Sequence, residues 1–80
     1  MNNTEKAILT KMLLKDVIGK HHLKRDTIAH CVERQTRGKI DTALKNLVKQ
    51  GYIEKHSHEH GDAYTIPPWR VTEIKKLLGL

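Results

Sequence analysis

The segment from Thr36 to Pro67, TRGKIDTALKNLVKQGYIEKHSHEHGDAYTIP, constrains the fold more than any other part of the chain. Its first half has apolar residues at the spacing i, i+3, i+4, i+7 and i+8, which forms one stripe along a helix. These residues are Ile40, Ala43, Leu44, Leu47 and Val48. Thr36 is a suitable N-cap, and Gly51 is a suitable C-terminal stop. The pattern therefore predicts an amphipathic helix over 36–50.

A β-hairpin is predicted directly after this helix. Residues 52–55 form its first strand, the polar stretch 57–62 contains turn-forming glycine and aspartate, and residues 63–66 return as the second strand. Pro67 cannot continue a sheet ladder, so the second strand has to end before it. The sequence thus predicts a hairpin over 52–66.

Helices are predicted on both sides of this segment. Thr4 is a suitable N-cap for a helix over 4–18, and Asp26 is one for a short second helix. Leu23 anchors a short strand between these two helices, and the apolar spacing within 70–80 predicts a C-terminal helix. The expected order is α-(β)-α-α-β-β-α, which is an α+β, mainly helical fold.

The composition fits a single domain over residues 1–80, whose core is only just large enough to be stable alone. The single cysteine, Cys31, excludes an intrachain disulfide and suits a reducing compartment, so a cytoplasmic location is expected, on the nucleoid in a prokaryote. The apolar stretch 7–18 is too short for a membrane span.

Fifteen Lys and Arg against nine Asp and Glu give a formal charge of +6, which attracts polyanions such as nucleic acids.

The third helix and the strand after it share a spaced apolar and glycine pattern, Leu44-x-x-Leu47-x-x-x-Gly51-x-Ile53-x-Lys55. This pattern is similar to the recognition helix and first wing strand of prokaryotic winged helix-turn-helix transcriptional regulators. The resemblance extends back to Ile28-Ala29 and forward to Tyr64-x-Ile66, and it covers about half of the chain. It implies a three-helix core, a two-stranded wing and a short C-terminal helix, with double-stranded DNA as the partner.

Two features depart from the family pattern. The connection between the second and third helices is one residue longer than the family's tight turn, and Arg34-Gln35-Thr36 replaces its usual Gly-apolar-Ser step. No effector-binding segment accompanies the domain, so a small-molecule effector is not expected.

The sequence also has no phosphate loop, dinucleotide fingerprint or glycine-rich oxyanion loop. We therefore expect a DNA-binding protein that is not an enzyme and has no cofactor.

The third helix carries most of the predicted DNA-binding side chains. A recognition helix presents its N-terminal half to base edges in the major groove, so Arg37, Lys39 and Thr42 are expected to reach bases first. Asn46 is expected to read adenine, and the later lysines to contact phosphates. Asp41, on the flank, either pairs with the lysine four residues later or tunes specificity. The full predicted set is Gln35, Thr36, Arg37, Lys39, Thr42, Lys45, Asn46, Lys49, Lys55, His56 and His58.

A winged helix can instead serve as a protein–protein interaction module in a replication or transcription complex. The first and last helices contain more apolar residues than one core needs, namely Leu14, Val17, Leu77, Leu78 and Leu80. This surplus is equally compatible with a homodimer through helices 4–18 and 70–80, because many DNA-binding domains pair to read two half-sites. The lysines of the third helix favour DNA, since a protein-docking surface has no need of them.

The hairpin histidines leave a metal-sensing repressor as a lesser alternative. His56, His58 and His60 alternate along the chain, so strand geometry is expected to point all three to one side. Imidazoles bind Zn²⁺ or Ni²⁺, and Cys31 or His30 could add a ligand. The simpler interpretation is a polar wing whose imidazoles contact phosphate, and no metal site is predicted.

Overall fold

Residues 1–32 and 38–80 are described by the computed structural model, and they form an α+β fold. Over these residues the chain has four α-helices and a three-stranded antiparallel sheet of strand order β1-β3-β2. The elements are α1 (Asn3–Leu14), β1 (Leu23–Lys24), α2 (Arg25–Cys31), α3 (Ile40–Lys49), β2 (Glu54–His58), β3 (Gly61–Thr65), a 3-10 turn (Pro68–Arg70) and α4 (Val71–Leu78). This order confirms the predicted one. None of the described helices is long and apolar enough to cross a membrane.

α1 begins earlier than predicted, because Asn2 and not Thr4 caps it. The Asn2 side chain accepts a hydrogen bond from the Glu5 backbone N–H at 2.8 Å, and Glu5 Oε1 accepts one from the Asn2 N–H at 3.2 Å. This reciprocal capping box satisfies amide groups that a helix start leaves without intrahelical partners. Thr4 lies inside the first turn, where it is buried.

α1 also ends earlier than predicted, at Leu14 instead of Ile18. Asp16 has a positive φ of 53°, which ends the helical path of the backbone. Val17 then enters the core, and Ile18 forms a parallel β-bridge with Ile66. Both are β-branched residues, which favour extended backbone, so the last predicted helical turn joins the sheet instead.

α2 and α3 start at residues other than those predicted. Lys24 is the N-cap of α2 without a side-chain hydrogen bond, and the predicted cap, Asp26, lies in the first turn. There its negative charge still favours the helix, because a helix N-terminus carries a partial positive charge. α3 starts at Ile40 after Lys39, again without a side-chain cap. The predicted cap of α3, Thr36, lies outside the described residues.

The hairpin has longer strands and a tighter tip than predicted. β2 runs from Glu54 to His58 and β3 starts at Gly61, so the tip is residues 59–60 and not 57–62. Gly61 has a φ of 122°, a conformation that glycine adopts without a side-chain clash. Every side chain of β2 is exposed, so no apolar alternation marks the strand in the sequence. β1 pairs with β3 as the predicted short first strand.

The core lies between the helices and the inner face of the sheet. Its buried apolar residues include Ile8, Leu9, Met12, Val17, Ile28, Val32, Ile40, Ala43, Leu44, Leu47, Ile53, Tyr64, Ile66 and Ile74. The predicted stripe of α3 is therefore confirmed, with Val48 only partly buried. α4 contributes Ile74 at 0% exposure, with Val71 and Leu78 packed against the same cluster. α4 is thus part of the core.

The terminal helices expose fewer apolar side chains than predicted. Leu14, Leu77 and Leu80 are 73%, 44% and 73% exposed. Val17 is buried in the core, and Leu78 is partly buried against the same core, so neither is a fully exposed apolar side chain. The expected dimer surface is therefore reduced to the C-terminal ends of α1 and α4.

Candidate nucleic-acid interface

α3 is anchored by one side and exposes the other. The residues that anchor it are Ile40, Ala43, Leu44 and Leu47. The exposed residues include Lys39, Thr42, Lys45 and Lys49, which we call the lysine face, and the acidic Asp41 beside it. Among the ion pairs of the described residues, none joins a lysine of this face to a carboxylate. Because the buried stripe fixes the rotation of α3 about its axis, the lysine face has a fixed orientation toward solvent.

A groove separates α3 from the hairpin. Its lining comes from both elements and consists of Asp41, Lys45, Val48, Lys55, Asp62 and Tyr64. Lys55 and Tyr64 are paired across β2 and β3, so they share one face of the sheet with Asp62. Lys55 Nζ lies 3.6 Å from Asp62 Oδ2. This predicted DNA-binding lysine therefore already has a carboxylate partner.

Asn46 lies on the same side of α3 as the lysine face. At about 100° per residue, it is roughly 40° around the helix axis from Thr42 and roughly 60° from Lys49. Its side chain is half-buried, unlike the members of the lysine face. Its predicted contact with adenine stays a prediction.

Asp41 is held by Arg25 and not by Lys45, the partner that the i, i+4 spacing suggested. Arg25 Nε donates to Oδ1 at 2.9 Å and Nη2 donates to Oδ2 at 3.0 Å, the geometry of a bidentate guanidinium–carboxylate pair. These hydrogen bonds hold the pKa of the Asp41 carboxyl below its usual range. The pair joins α2 to α3. No sequence pattern predicts it, because the two residues lie 16 positions apart on different helices.

The three hairpin histidines do not share one side, contrary to the expectation from alternation. The ring centroids of His56 and His58 lie 4.3 Å and 6.5 Å from the ring centroid of His22. Both residues are on the sheet face opposite the groove. His60 lies in the turn beyond β2 and lines a cavity beside Arg25. Alternation fails there because β2 ends at His58. In residues 1–32 and 38–80, no group of three or more His, Cys, Asp or Glu is arranged to hold a metal ion.

Tyr64 closes the inner wall of the groove and is only 6% exposed. Burial raises the pKa of its phenol, and the nearby charges of Asp62 and Asp41 raise it further. The folded state therefore holds the phenolic proton more tightly than the unfolded chain does. The contribution of this proton to the stability of the folded state is fully present below about pH 10, the ordinary pKa of tyrosine. It is lost as the pH rises through the higher pKa that Tyr64 has in the folded state.

We expect Tyr64→Phe to reduce the loss of stability at alkaline pH, because the variant has no buried phenol to ionise. Urea unfolding at about pH 8 and about pH 11 measures the fall in the free energy of unfolding. Tyr52→Phe, at a half-buried tyrosine, is the matched control and should show the wild-type fall. If the free energy of unfolding fell equally in the wild type and in Tyr64→Phe, burial of this phenol would not contribute to the loss of stability at alkaline pH.

The remaining predicted residues divide between described and undescribed parts of the chain. Gln35, Thr36 and Arg37 lie outside the described residues. The others occupy the side of α3 that bears the lysine face and the two faces of the hairpin. Comparisons with models of known families, with curated proteins and with solved structures found no match. A functional assignment therefore depends on the geometry and charge of these surfaces.

Proposed function

We propose that this chain is a winged helix-turn-helix module that binds double-stranded DNA. In this proposal α2 and α3 form the helix-turn-helix, the lysine face of α3 enters the major groove, and the β2–β3 hairpin is the wing. The observation that carries it is the exposed lysine face on a helix followed directly by a hairpin. A role as a cytoplasmic transcriptional regulator belongs to the same proposal.

The dimensions of α3 support the proposed docking. Its ten residues span about 15 Å at roughly 1.5 Å per residue, and the major groove, about 12 Å wide, admits one α-helix. Thr42 is near the start of the helix, where recognition helices contact base edges. Lys45 and Lys49 follow at one-turn intervals, which suits contacts to phosphates along the groove wall.

The charge distribution supports a polyanionic partner. The formal charge of the whole chain is +6. Two carboxylates lie beside the lysine face, and each is paired with a cation: Asp41 with Arg25 and Asp62 with Lys55. Pairing reduces the repulsion between these carboxylates and phosphate, so the positive field of the lysine face dominates that side of the molecule.

The hairpin supports a role beside the groove that α3 occupies. Its sheet order, β1-β3-β2, leaves β2 at an edge with all five of its side chains exposed. His56 and His58 on this strand carry ring N–H groups, which can donate hydrogen bonds to phosphate oxygens. Contacts of this kind position a protein on DNA without reading its sequence.

A homodimer is the proposed assembly. Leu14 near the end of α1 and Leu77 and Leu80 near the end of α4 are exposed apolar side chains. Pairing through these ends would place two copies of the lysine face in one assembly, as in DNA-binding dimers that read two half-sites.

A protein–protein interaction module is the second candidate function, and the exposure of Trp69 favours it. This side chain is 75% exposed and borders a shallow groove with Val48 and Pro67. Tryptophan is enriched among residues that dominate the affinity of protein interfaces. The lysine face has no role in this alternative, so DNA binding distinguishes the two functions.

Fluorescence anisotropy of a labelled random-sequence duplex tests the proposal. We expect wild-type protein to bind at about 50 mM salt and to lose affinity steadily toward about 200 mM. The slope of log affinity against log salt should be about −0.9 per phosphate contact, or near −2 for Lys45 and Lys49. Absence of binding at the lower salt, or binding that salt does not weaken, would exclude the proposed use of the lysine face.

A further inference from the structure

The guanidinium of Arg25 is occupied by two carboxylates. Besides its two hydrogen bonds to Asp41, it donates from Nη1 to Asp26 Oδ1 at 3.2 Å. Arg25 is the first residue of α2 and Asp41 is the second residue of α3, so the pair bridges the starts of both helices. Three of the five N–H donors of Arg25 are therefore used by these two carboxylates.

The carboxylate of Asp41 stays accessible although it is held. Its side chain is 77% exposed, and it lines the groove together with Lys45 of the lysine face and residues of the hairpin. Each carboxylate oxygen has two lone-pair sites, and Arg25 uses one on each. Asp41 thus keeps free acceptor sites toward the solvent side of the groove.

The pair also fixes what kind of partner this carboxylate can take. The Asp41 carboxyl is ionised at neutral pH, and the hydrogen bonds from Arg25 lower its pKa further; an ionised carboxylate accepts hydrogen bonds but donates none. The bidentate contact limits its rotation, which lowers the entropy cost of a further hydrogen bond. An external group bound here therefore has to be a hydrogen-bond donor.

We propose that Asp41, held in place by Arg25, is a specificity-determining residue that accepts a hydrogen bond from the N4 amino group of a cytosine in the major groove. This inference rests on the proposed function, because it needs the start of α3 to face base edges. Cytosine offers a donor at its major-groove edge, whereas guanine offers only the acceptors N7 and O6 and thymine offers the acceptor O4. Adenine combines a donor with an acceptor, so a carboxylate fits it less well than it fits cytosine.

A merely structural pair would connect α2 and α3 without influencing base choice. The readout that separates the two roles is therefore base preference, measured by selection from a randomised duplex library and by titration of the selected site. We expect the wild type to prefer cytosine at one position, with roughly tenfold or greater loss for guanine or thymine there. Preferences at the other positions serve as internal controls.

Asp41→Asn is the decisive variant. An asparagine amide both donates and accepts, and it pairs well with the N7 and N6 edge of adenine. We expect this variant to lose the preference for cytosine and to favour adenine at that one position. Asp62→Asn removes the other groove carboxylate, which pairs with Lys55, and should keep the wild-type preference. Arg25→Gln should keep cytosine as the preferred base but weaken the discrimination severalfold, because Asp41 is no longer held.

Three results would overturn the proposal. The same preference at every position in the wild type and Asp41→Asn would exclude Asp41 as a base-reading residue while leaving DNA binding intact. A change of equal size in Asp62→Asn would assign the effect to general charge. Absence of binding to any duplex by the wild type would remove both this inference and the proposed function. Circular dichroism during urea unfolding verifies that each variant is folded.

Discussion

Replacement of Lys39, Lys45 and Lys49 together by alanine is expected to weaken binding to a random-sequence duplex about 100-fold at roughly 0.1 M salt. Each ammonium group that contacts a phosphate releases about 0.9 of a counterion, so the two phosphate contacts of Lys45 and Lys49 contribute about two orders of magnitude at this salt concentration. The slope of log affinity against log salt should become shallower by about 2. Anisotropy titrations at several salt concentrations measure both effects.

The control for this experiment removes the same charge from other surfaces. Lys6 and Lys11 on α1 and Lys76 on α4 are exposed, and they lie outside the proposed interface. Their combined replacement by alanine should reduce affinity only a few-fold, because distant charges are screened within about 10 Å at this salt. Equal losses in the two triple variants would mean that DNA responds to net charge and not to α3.

Replacement of Ile74 by alanine is expected to lower the free energy of unfolding by about 2–5 kcal/mol. Ile74 is 0% exposed and is the buried contribution of α4 to the core. Its truncation removes apolar contacts and leaves a cavity that the surrounding helices fill only in part. For a domain of this size such a loss is a large fraction of the total stability. Urea denaturation with linear extrapolation measures it.

Leu77→Ala provides the matched control within the same helix. Leu77 is 44% exposed, so its truncation should cost less than about 1 kcal/mol. The comparison separates two roles of α4, since the core needs Ile74 and a dimer would need Leu77. If Ile74→Ala were as stable as Leu77→Ala, α4 would not be part of the folded core.

Local periodicity explains which parts of the fold could be predicted from the sequence. The stripe of α3 repeats with the period of a helix, and burial of Ile40, Leu44 and Leu47 follows from that pattern alone. The hairpin could be predicted from the glycine before it and the proline after it. Its exact strands could not, because the side chains from Glu54 to His58 are exposed and have no apolar alternation.

Contacts between distant segments explain what the sequence could not predict. The local sequence predicts Val17 and Ile18 as the last turn of α1. They leave the helix because Val17 packs into the core and Ile18 forms a bridge with Ile66. In the candidate site, the lysine face followed from helix geometry, since its members lie opposite the buried stripe. The pair of Arg25 and Asp41 depends on how α2 and α3 pack, which no local pattern encodes.

The sheet joins parts of the chain that are far apart in sequence, and this sets an order of assembly. The pair Leu23↔Tyr64 and the bridge Ile18↔Ile66 each connect residues more than 40 positions apart. The β2–β3 hairpin closes a loop of only two residues, so chain entropy favours its formation before β1 is added. Arg25 directly follows β1 in the chain, so we expect its pair with Asp41 to form together with the pairing of β1 and β3. On this order the carboxylate beside the lysine face acquires its guanidinium partner after the hairpin has closed.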